Sequence, residues 1–259
     1  MTILVGLYCD DGVVIAADSV ATSAHGRTPT ISGLATSKIE IVKDQVIIAT
    51  TGAVGLGQRF RFLVGKAYED KKFQENAHNV STHLSRVAMM DFQNTGVPKH
   101  PAMGFGFGAL VAAPVQGAHH LIEYDAVDFQ PEQKSASLLF VSMGSGQPIA
   151  DPFLGFLKRV FWPSRRPTLR EGIFGAIWTL SHTISLAPGG IGGEPHVAVL
   201  EKGEKGRWNS RILADEEIAE HKDHCRAIEK GIGGYFTDAA KHAESGGQTP
   251  EVPKPPANA

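Results

Sequence analysis

The chain opens Met1-Thr2-Ile3-Leu4-Val5-Gly6-Leu7-Tyr8-Cys9-Asp10-Asp11-Gly12-Val13-Val14-Ile15-Ala16-Ala17-Asp18. Two apolar runs, 3–9 and 13–17, flank Asp10-Asp11-Gly12. An Asp-Gly step between such runs is a hairpin signal, because glycine tolerates positive φ. The stretch predicts an antiparallel strand pair whose second member delivers Asp18 at its end. No basic segment precedes the first apolar run, so it does not read as a secretory signal. The expectation is a mature protein that starts at or next to residue 1.

The remaining elements follow from period and punctuation. Residues 23–34, rich in Ser, Gly, Thr and Pro, read as a loop. Residues 37–42 alternate polar and apolar as a half-buried strand does, and 46–50 form a further strand that ends at Thr51-Gly52. Beyond Gly52 the period changes. Phe60, Leu63, Val64 and Tyr68 fit one helical face, and Val80, Leu84, Val87 and Met90 mark a second helix over 76–93. Strands are predicted over 103–114, 119–125 and 137–142, and helices over 147–161 and 168–186. The last of these opens with Thr168 and Glu171, a capping box. Strands at 196–201 and 207–212 and a helix over 214–230 complete the pattern.

Strands, two helices, strands, two helices, strands is not the single alternation of a parallel βαβ series. It predicts an α+β fold: a four-layer αββα sandwich of two antiparallel sheets flanked by helix pairs. The expected organisation is a domain over 1–213, a helical extension over 214–243 and a disordered, Pro-rich tail over 244–259.

Composition narrows the function classes. With 25 Lys plus Arg against 27 Asp plus Glu, the net charge of −2 leaves no electrostatic footprint for nucleic acid or an anionic membrane. Hydrophobic residues make up 42%, enough for a sizeable core, yet no run reaches membrane-spanning length. Two cysteines, Cys9 and Cys225, form neither a disulfide framework nor a four-cysteine zinc site, and suit a reducing cytoplasm.

The chemistry starts at Thr2. Initiator methionine is usually trimmed before a small residue, which leaves a free α-amine on a residue that also carries a hydroxyl. A threonine hydroxyl needs a base in reach to become a nucleophile. An α-amine, titrating at about 7.7–8.0, is such a base. The blocks Thr2-Ile3-Leu4-Val5-Gly6, Asp11-Gly12-Val13-Val14-Ile15-Ala16-Ala17-Asp18, Ala21-Thr22, Ser37-Lys38-Ile39, Ala49-Thr50-Thr51-Gly52-Ala53-Val54-Gly55 and Gly144-Ser145-Gly146 stand in an order and spacing that resembles proteasome β subunits and their bacterial, HslV-like relatives. These are N-terminal-nucleophile hydrolases. The likeness is close over about residues 2–70, patchy over 100–200 and absent beyond about 213.

The resemblance implies roles. Thr2 matches the nucleophile, Lys38 the lysine beside it, and Asp18 the carboxylate that holds that lysine. Gly52 matches the glycine whose N–H serves the oxyanion hole, and Ser145 the serine near the threonine amine. Thr22 matches a residue that binds substrate main chain. Ala21, Thr36, Glu40, Thr50 and Val54 match the specificity pocket, where an inward Glu40 carboxylate would favour basic side chains. Elementary chemistry agrees: a lysine cation near the hydroxyl favours the alkoxide, and a carboxylate keeps that buried cation paired. One departure stands out. The family supplies an Asp, and a Ser three residues later, where this chain reads Ser181-His182-Thr183-Ile184-Ser185-Leu186-Ala187-Pro188-Gly189-Gly190. The Asp is missing, and neither Ser185 nor His182 is assigned to replace it.

Other residues are set aside on the same grounds. His221, His224 and Cys225 share a helical face that reads as solvated, with no fourth ligand for a metal. His119 and His120 alternate across a strand. Phe174 and Trp178 read as core, and Phe153, Phe156, Phe161 and Trp162 as core or subunit interface.

The resemblance implies a cytoplasmic threonine endopeptidase that needs no metal or cofactor. It acts on peptide or unfolded protein through an acyl-enzyme on Thr2. It assembles as a homo-oligomeric ring or double ring, with an ATP-dependent unfoldase as a possible partner. Two alternatives stay open: a non-peptidase amidase on the same fold, and a non-catalytic ring-forming subunit. Family α-type subunits carry an extension ahead of the first strand, which is not seen before Thr2 here. Retained Met1 would favour the non-catalytic reading, because it acylates the Thr2 amine.

Overall fold

The computed structural model describes residues 1–23, 30–35, 37–100, 104–187, 190–203 and 206–244. Twelve strands are seen among them: β1 Leu4–Tyr8, β2 Gly12–Ala17, β3 Val20–Ser23, β4 Thr30–Ala35, β5 Ile39–Val42, β6 Val46–Gly52, β7 Phe107–Val115, β8 Ala118–Tyr124, β9 Pro131–Gln133, β10 Phe140–Met143, β11 His196–Lys202 and β12 Trp208–Ile212. The helices are α1 Val54–Glu69, α2 Ala77–Asn94, α3 Gln147–Phe161, α4 Leu169–Leu186 and α5 Asp215–Glu244.

The opening hairpin forms as its sequence predicts, with Leu4 opposite Ala17 and Tyr8 opposite Val13. It is the centre of an antiparallel sheet ordered β10-β1-β2-β11-β12. A second antiparallel sheet is ordered β5-β6-β7-β8-β9. Along β2, Val14 and Ala16 face α4, while Val13, Ile15 and Ala17 face the other sheet. Both faces are therefore dry, which explains an unbroken apolar run where a one-sided strand would alternate.

Four layers result. Leu4, Ile15, Ile47, Leu110, Leu121 and Leu200 meet between the sheets. Phe60, Leu84 and Phe92 from α1 and α2 pack on Phe107, Tyr124 and Phe129 of the second sheet and its loop. Leu154, Ile177 and Trp178 from α3 and α4 pack on the outer face of the first. The α4 capping box closes as predicted: Thr168 accepts the Glu171 N–H, and Glu171 accepts the Thr168 N–H at 2.8 Å.

Some local expectations fail for physical reasons. The stretch read as a loop over 23–34 contributes β4, paired with β3 through Thr22 opposite Ile31. β7 starts later than residue 103, because Gly104 and Gly106 turn the chain at φ +58° and +62°. β9 is too short to carry a pattern. α5 runs on past residue 230 through Gly231, Gly233 and Gly234. Its His221 and Cys225 are buried, and Ile218 and Cys225 belong to the same core as α4. His224 stays exposed, so the helix is covered along Ile218, His221 and Cys225 and solvated beside them. Trp178 Nε1 donates to Glu229 across the α4–α5 contact at 2.7 Å. Of the stretch read as a tail, 244–259, Glu244 ends α5, and residues 245–259 lie outside the described residues.

Candidate active site

Thr2 precedes β1, and its surroundings come from four separate elements. Asp18 follows β2 and is fully buried. Its Oδ1 accepts the Ile3 N–H at 2.9 Å and the Lys38 Nζ at 2.6 Å. Its Oδ2 accepts the Gly192 N–H at 3.4 Å. Asp18 also donates its own N–H to the Ile3 carbonyl at 3.2 Å. The carboxylate thus fixes both the start of β1 and the lysine.

Lys38 leads into β5, with its side chain 9% exposed. Burial pulls its ammonium below the ordinary pKa of 10.5, and outweighs the opposing hydrogen bond and charge of Asp18. Lys38 Nζ also reaches the Met1 carbonyl at 3.5 Å. The Met1 amine is lowered in turn, by burial first and by the Lys38 charge second. An amine at this spot gives up its proton more readily than one in water.

Ser145 sits in the turn between β10 and α3. Its Oγ accepts the Thr2 N–H at 3.2 Å and lies 3.4 Å from the Thr2 carbonyl. The turn is held at its base by Asp151, which accepts Ser142 Oγ at 2.5 Å and Gln147 Nε2 at 3.1 Å. Gly52 ends β6 at φ +99°, and a Cβ there would lie 2.0 Å from the Gly106 carbonyl oxygen. Only a glycine fits, and α1 follows two residues later at Val54.

A cleft of about 390 Å³ gathers Thr2, Lys38, Glu40, Thr50, Gly52, Val54 and Ser145 along one wall of the sandwich. Of the residues the sequence singles out, these seven line the cleft, and Asp18 lies beneath them. Ala21 and Thr22 are placed by their backbone in β3. Thr36 lies outside the described residues. Glu40 does not offer a free carboxylate, because Arg61 of α1 pairs with it. The His182 ring stacks on Phe153 with centroids 4.3 Å apart, and Ser185 Oγ bonds the His182 carbonyl at 2.8 Å. Neither stands in for the missing Asp.

Sequence reasoning misses Ser37, Thr51, Gly57 and Gln58, which also line the cleft. Gln58 lies one helical turn after Val54, so the helical period was a usable signal. Ser37 Oγ is 3.3 Å from His196 Nδ1, a contact between distant strands that no local pattern marks. A larger groove of about 1000 Å³ runs between α1 and α2, lined by Leu56, Phe62 and Phe105. Its Arg59 and Asp91 are paired with each other at 2.7 Å, and neither Thr2 nor Lys38 reaches it. The candidate residues line the smaller cleft and not this groove.

The model of the family described as "Proteasome subunit" matches residues 2–162, more than half of the chain. The chain belongs to the proteasome subunit family. Two relatives are similar over most of this proteasome-family chain. One is "Proteasome subunit alpha" of Methanococcus maripaludis strain C5, 27% identical over 218 residues, covering 83% of this chain and 75% of the relative. The protein of the same description from strain C7 is 26% identical with the same coverage. The matched family region carries most of the core between the two sheets and every cleft residue named above, while α4, β11 with its Leu200, β12 and α5 lie beyond it.

Proposed function

We propose that this proteasome-family chain is a threonine-type endopeptidase of the β-subunit or HslV-like kind. It hydrolyses peptide bonds through an acyl-enzyme on Thr2 once Met1 is removed. The observation that carries the reading is the buried Lys38–Asp18 pair at 2.6 Å, with Asp18 also holding the backbone of Ile3, the residue after Thr2. A buried ion pair adds little to stability compared with apolar packing, so a buried lysine lining the same cleft as Thr2 is better accounted for by chemistry than by stability.

In the proposed cycle the freed Thr2 amine takes the hydroxyl proton as Oγ attacks the scissile carbonyl. The Lys38 cation favours the developing alkoxide. The Gly52 N–H donates to the tetrahedral oxyanion, a contact whose loss typically costs about 10²–10³ in rate. Collapse breaks the C–N bond, and the amine hands its proton to the leaving nitrogen. Water, activated by the same amine, then releases the acid. Ser145, 3.2 Å from the Thr2 N, orients that amine. Substrates are extended peptide or unfolded protein. The assembly is a homo-oligomeric ring or double ring in the cytoplasm, supplied by an ATP-dependent unfoldase.

A second reading has its own support. The relatives above are described as alpha subunits, and Met1 is seated with its carbonyl 3.5 Å from Lys38, which suits a retained methionine on a non-catalytic ring subunit. A small-amide hydrolase, the third alternative, gains no observation of its own.

Intact mass of the purified protein, with and without a peptide epoxyketone, separates them. The warhead needs both the Thr2 hydroxyl and a free Thr2 amine. An adduct on the wild type and none on Thr2→Ala supports the peptidase. A protein that starts at Thr2 yet takes no adduct overturns it, and retained Met1 favours the ring subunit.

A further inference from the structure

Gly190 is buried at φ +77°, and a Cβ built there would lie 2.1 Å from Met1 Cε and 3.2 Å from Met1 Cβ and Sδ. The Met1 side chain therefore rests directly on the Gly190 backbone. The residues that follow are tied to the candidate site. Ile191 Cδ1 would lie 2.9 Å from a Cβ at Gly146, next to Ser145. Gly192 donates to Asp18 Oδ2 at 3.4 Å and accepts the Ser19 N–H at 3.2 Å. The niche floor is thus held by the same segments that carry Ser145 and Asp18. Met1 keeps 43% exposure, so the niche is shallow and open on one side.

Its position gives it a use. The Met1 carbonyl carbon is bonded to Thr2 N. During acylation the Oγ–C bond forms, the scissile C–N bond breaks, and the proton passes from the Thr2 amine to the leaving nitrogen. That nitrogen must lie within hydrogen-bond reach of Thr2 N, about 3 Å away. The leaving fragment then projects into the space that Met1 fills beforehand.

We propose that the niche over Gly190, which Met1 fills, is the subsite for an apolar side chain on the leaving-amine side of the scissile bond. The proposal rests on the peptidase reading and names half of its substrate preference. Backbone of Gly190 and the buried Ile191 offer no charge, so an apolar side chain unbranched at Cβ, the size of methionine or leucine, fits and an acidic one does not.

The test uses the full-length protein shown by mass to start at Thr2. Fluorescence-quenched peptides that differ only in the residue after the scissile bond are compared as Met, Leu, Gly and Asp. We expect kcat/KM about tenfold higher for Met and Leu than for Gly, a modest ratio that suits a half-open site. A second readout needs no variant. Enzyme acylated by a peptide ester is offered methioninamide or glycinamide, each of which attacks the ester carbonyl, forms an amide and returns Oγ to Thr2. Methioninamide should capture the acyl group several-fold better. Flat preferences in the wild type, with the adduct intact, overturn the subsite alone. Absence of both adduct and hydrolysis overturns the peptidase reading and the subsite with it.

Discussion

Lys38 Nζ lies 2.6 Å from a carboxylate oxygen of Asp18, a residue with no solvent exposure at all. Removing one partner strands the other. Asp18→Ala should lower unfolding free energy by about 3–5 kcal/mol, the usual cost of leaving a buried charge unpaired. Chemical denaturation measures it, and Asp18→Ala with Lys38→Met in the same chain should recover part of the loss. A loss near zero for Asp18→Ala alone would show that the pair is hydrated in solution.

Lys38 also sets an alkaline limit. Burial holds its pKa below 10.5, so its charge is lost at lower pH than that of an exposed lysine. Turnover should fall as pH rises through that lowered value. Stability should move the other way. Between the lowered value and 10.5 the unfolded chain binds more protons than the folded one, so this group's contribution to folding rises with pH. Lys38→Arg should abolish the alkaline fall in whatever activity remains, and Lys38→Ala should fold but turn over peptides far more slowly. Wild-type turnover in Lys38→Ala would remove the lysine from the chemistry.

Gly52→Ala meets a backbone oxygen at 2.0 Å and a φ of +99° that L residues rarely adopt. The end of β6 must shift, and with it the N–H proposed to serve the oxyanion. We expect a measurable drop in melting temperature and a fall in kcat of about 10² or more. A variant that keeps full kcat would show that another donor serves the oxyanion.

Arg61 occupies the Glu40 carboxylate on the cleft wall. Paired, the site gives basic side chains no advantage. Arg61→Ala should free the carboxylate and raise kcat/KM for peptides with Lys or Arg before the scissile bond, with little change for neutral ones. The pair is substantially exposed, so the gain should be modest and should shrink at high salt. Equal kinetics for basic and neutral peptides in the variant would exclude Glu40 from specificity.

Glu171 holds the start of α4, with its pKa pulled down to about 2 by the Arg165 hydrogen bond first and the Thr168 contacts after it. A carboxylate lowered from 4.5 adds stability that is complete above 4.5 and lost as pH falls through about 2. Its side chain is 36% exposed, so solvent screening keeps the effect to about 1 kcal/mol or less. Thermal melts of Glu171→Gln should differ from wild type at neutral pH and converge with it in that acid window.

What the sequence discloses depends on how local the signal is. The Asp11-Gly12 turn, the Thr168–Glu171 cap and the α3 boundaries at 147 and 161 are written within a few residues, and all appear in the fold. The β3–β4 pair is hidden because its Ser, Gly and Thr content looks like a loop. In α5, Glu220, Lys222, Asp223 and Arg226 surround the buried stripe of Ile218, His221 and Cys225, and so conceal it. The cleft residues are legible through family resemblance, not through pattern. The contacts that shape the cleft are not legible at all. Gly192 on Asp18 joins positions 174 residues apart, and Arg61 on Glu40 joins a helix to a strand. Such pairings exist only once the layers have stacked.

The backbone around Thr2 is firmly tethered. Its carbonyl accepts the Gly146 N–H at 3.3 Å, and Ile3 is bonded to Asp18 through both its backbone groups. Residues held this way cannot swing aside, and Met1 and Thr2 line the cleft itself, so a group attached ahead of them would crowd it. A purification handle fused there would block the very opening it was meant to help study, so affinity tags belong at the opposite end of the chain.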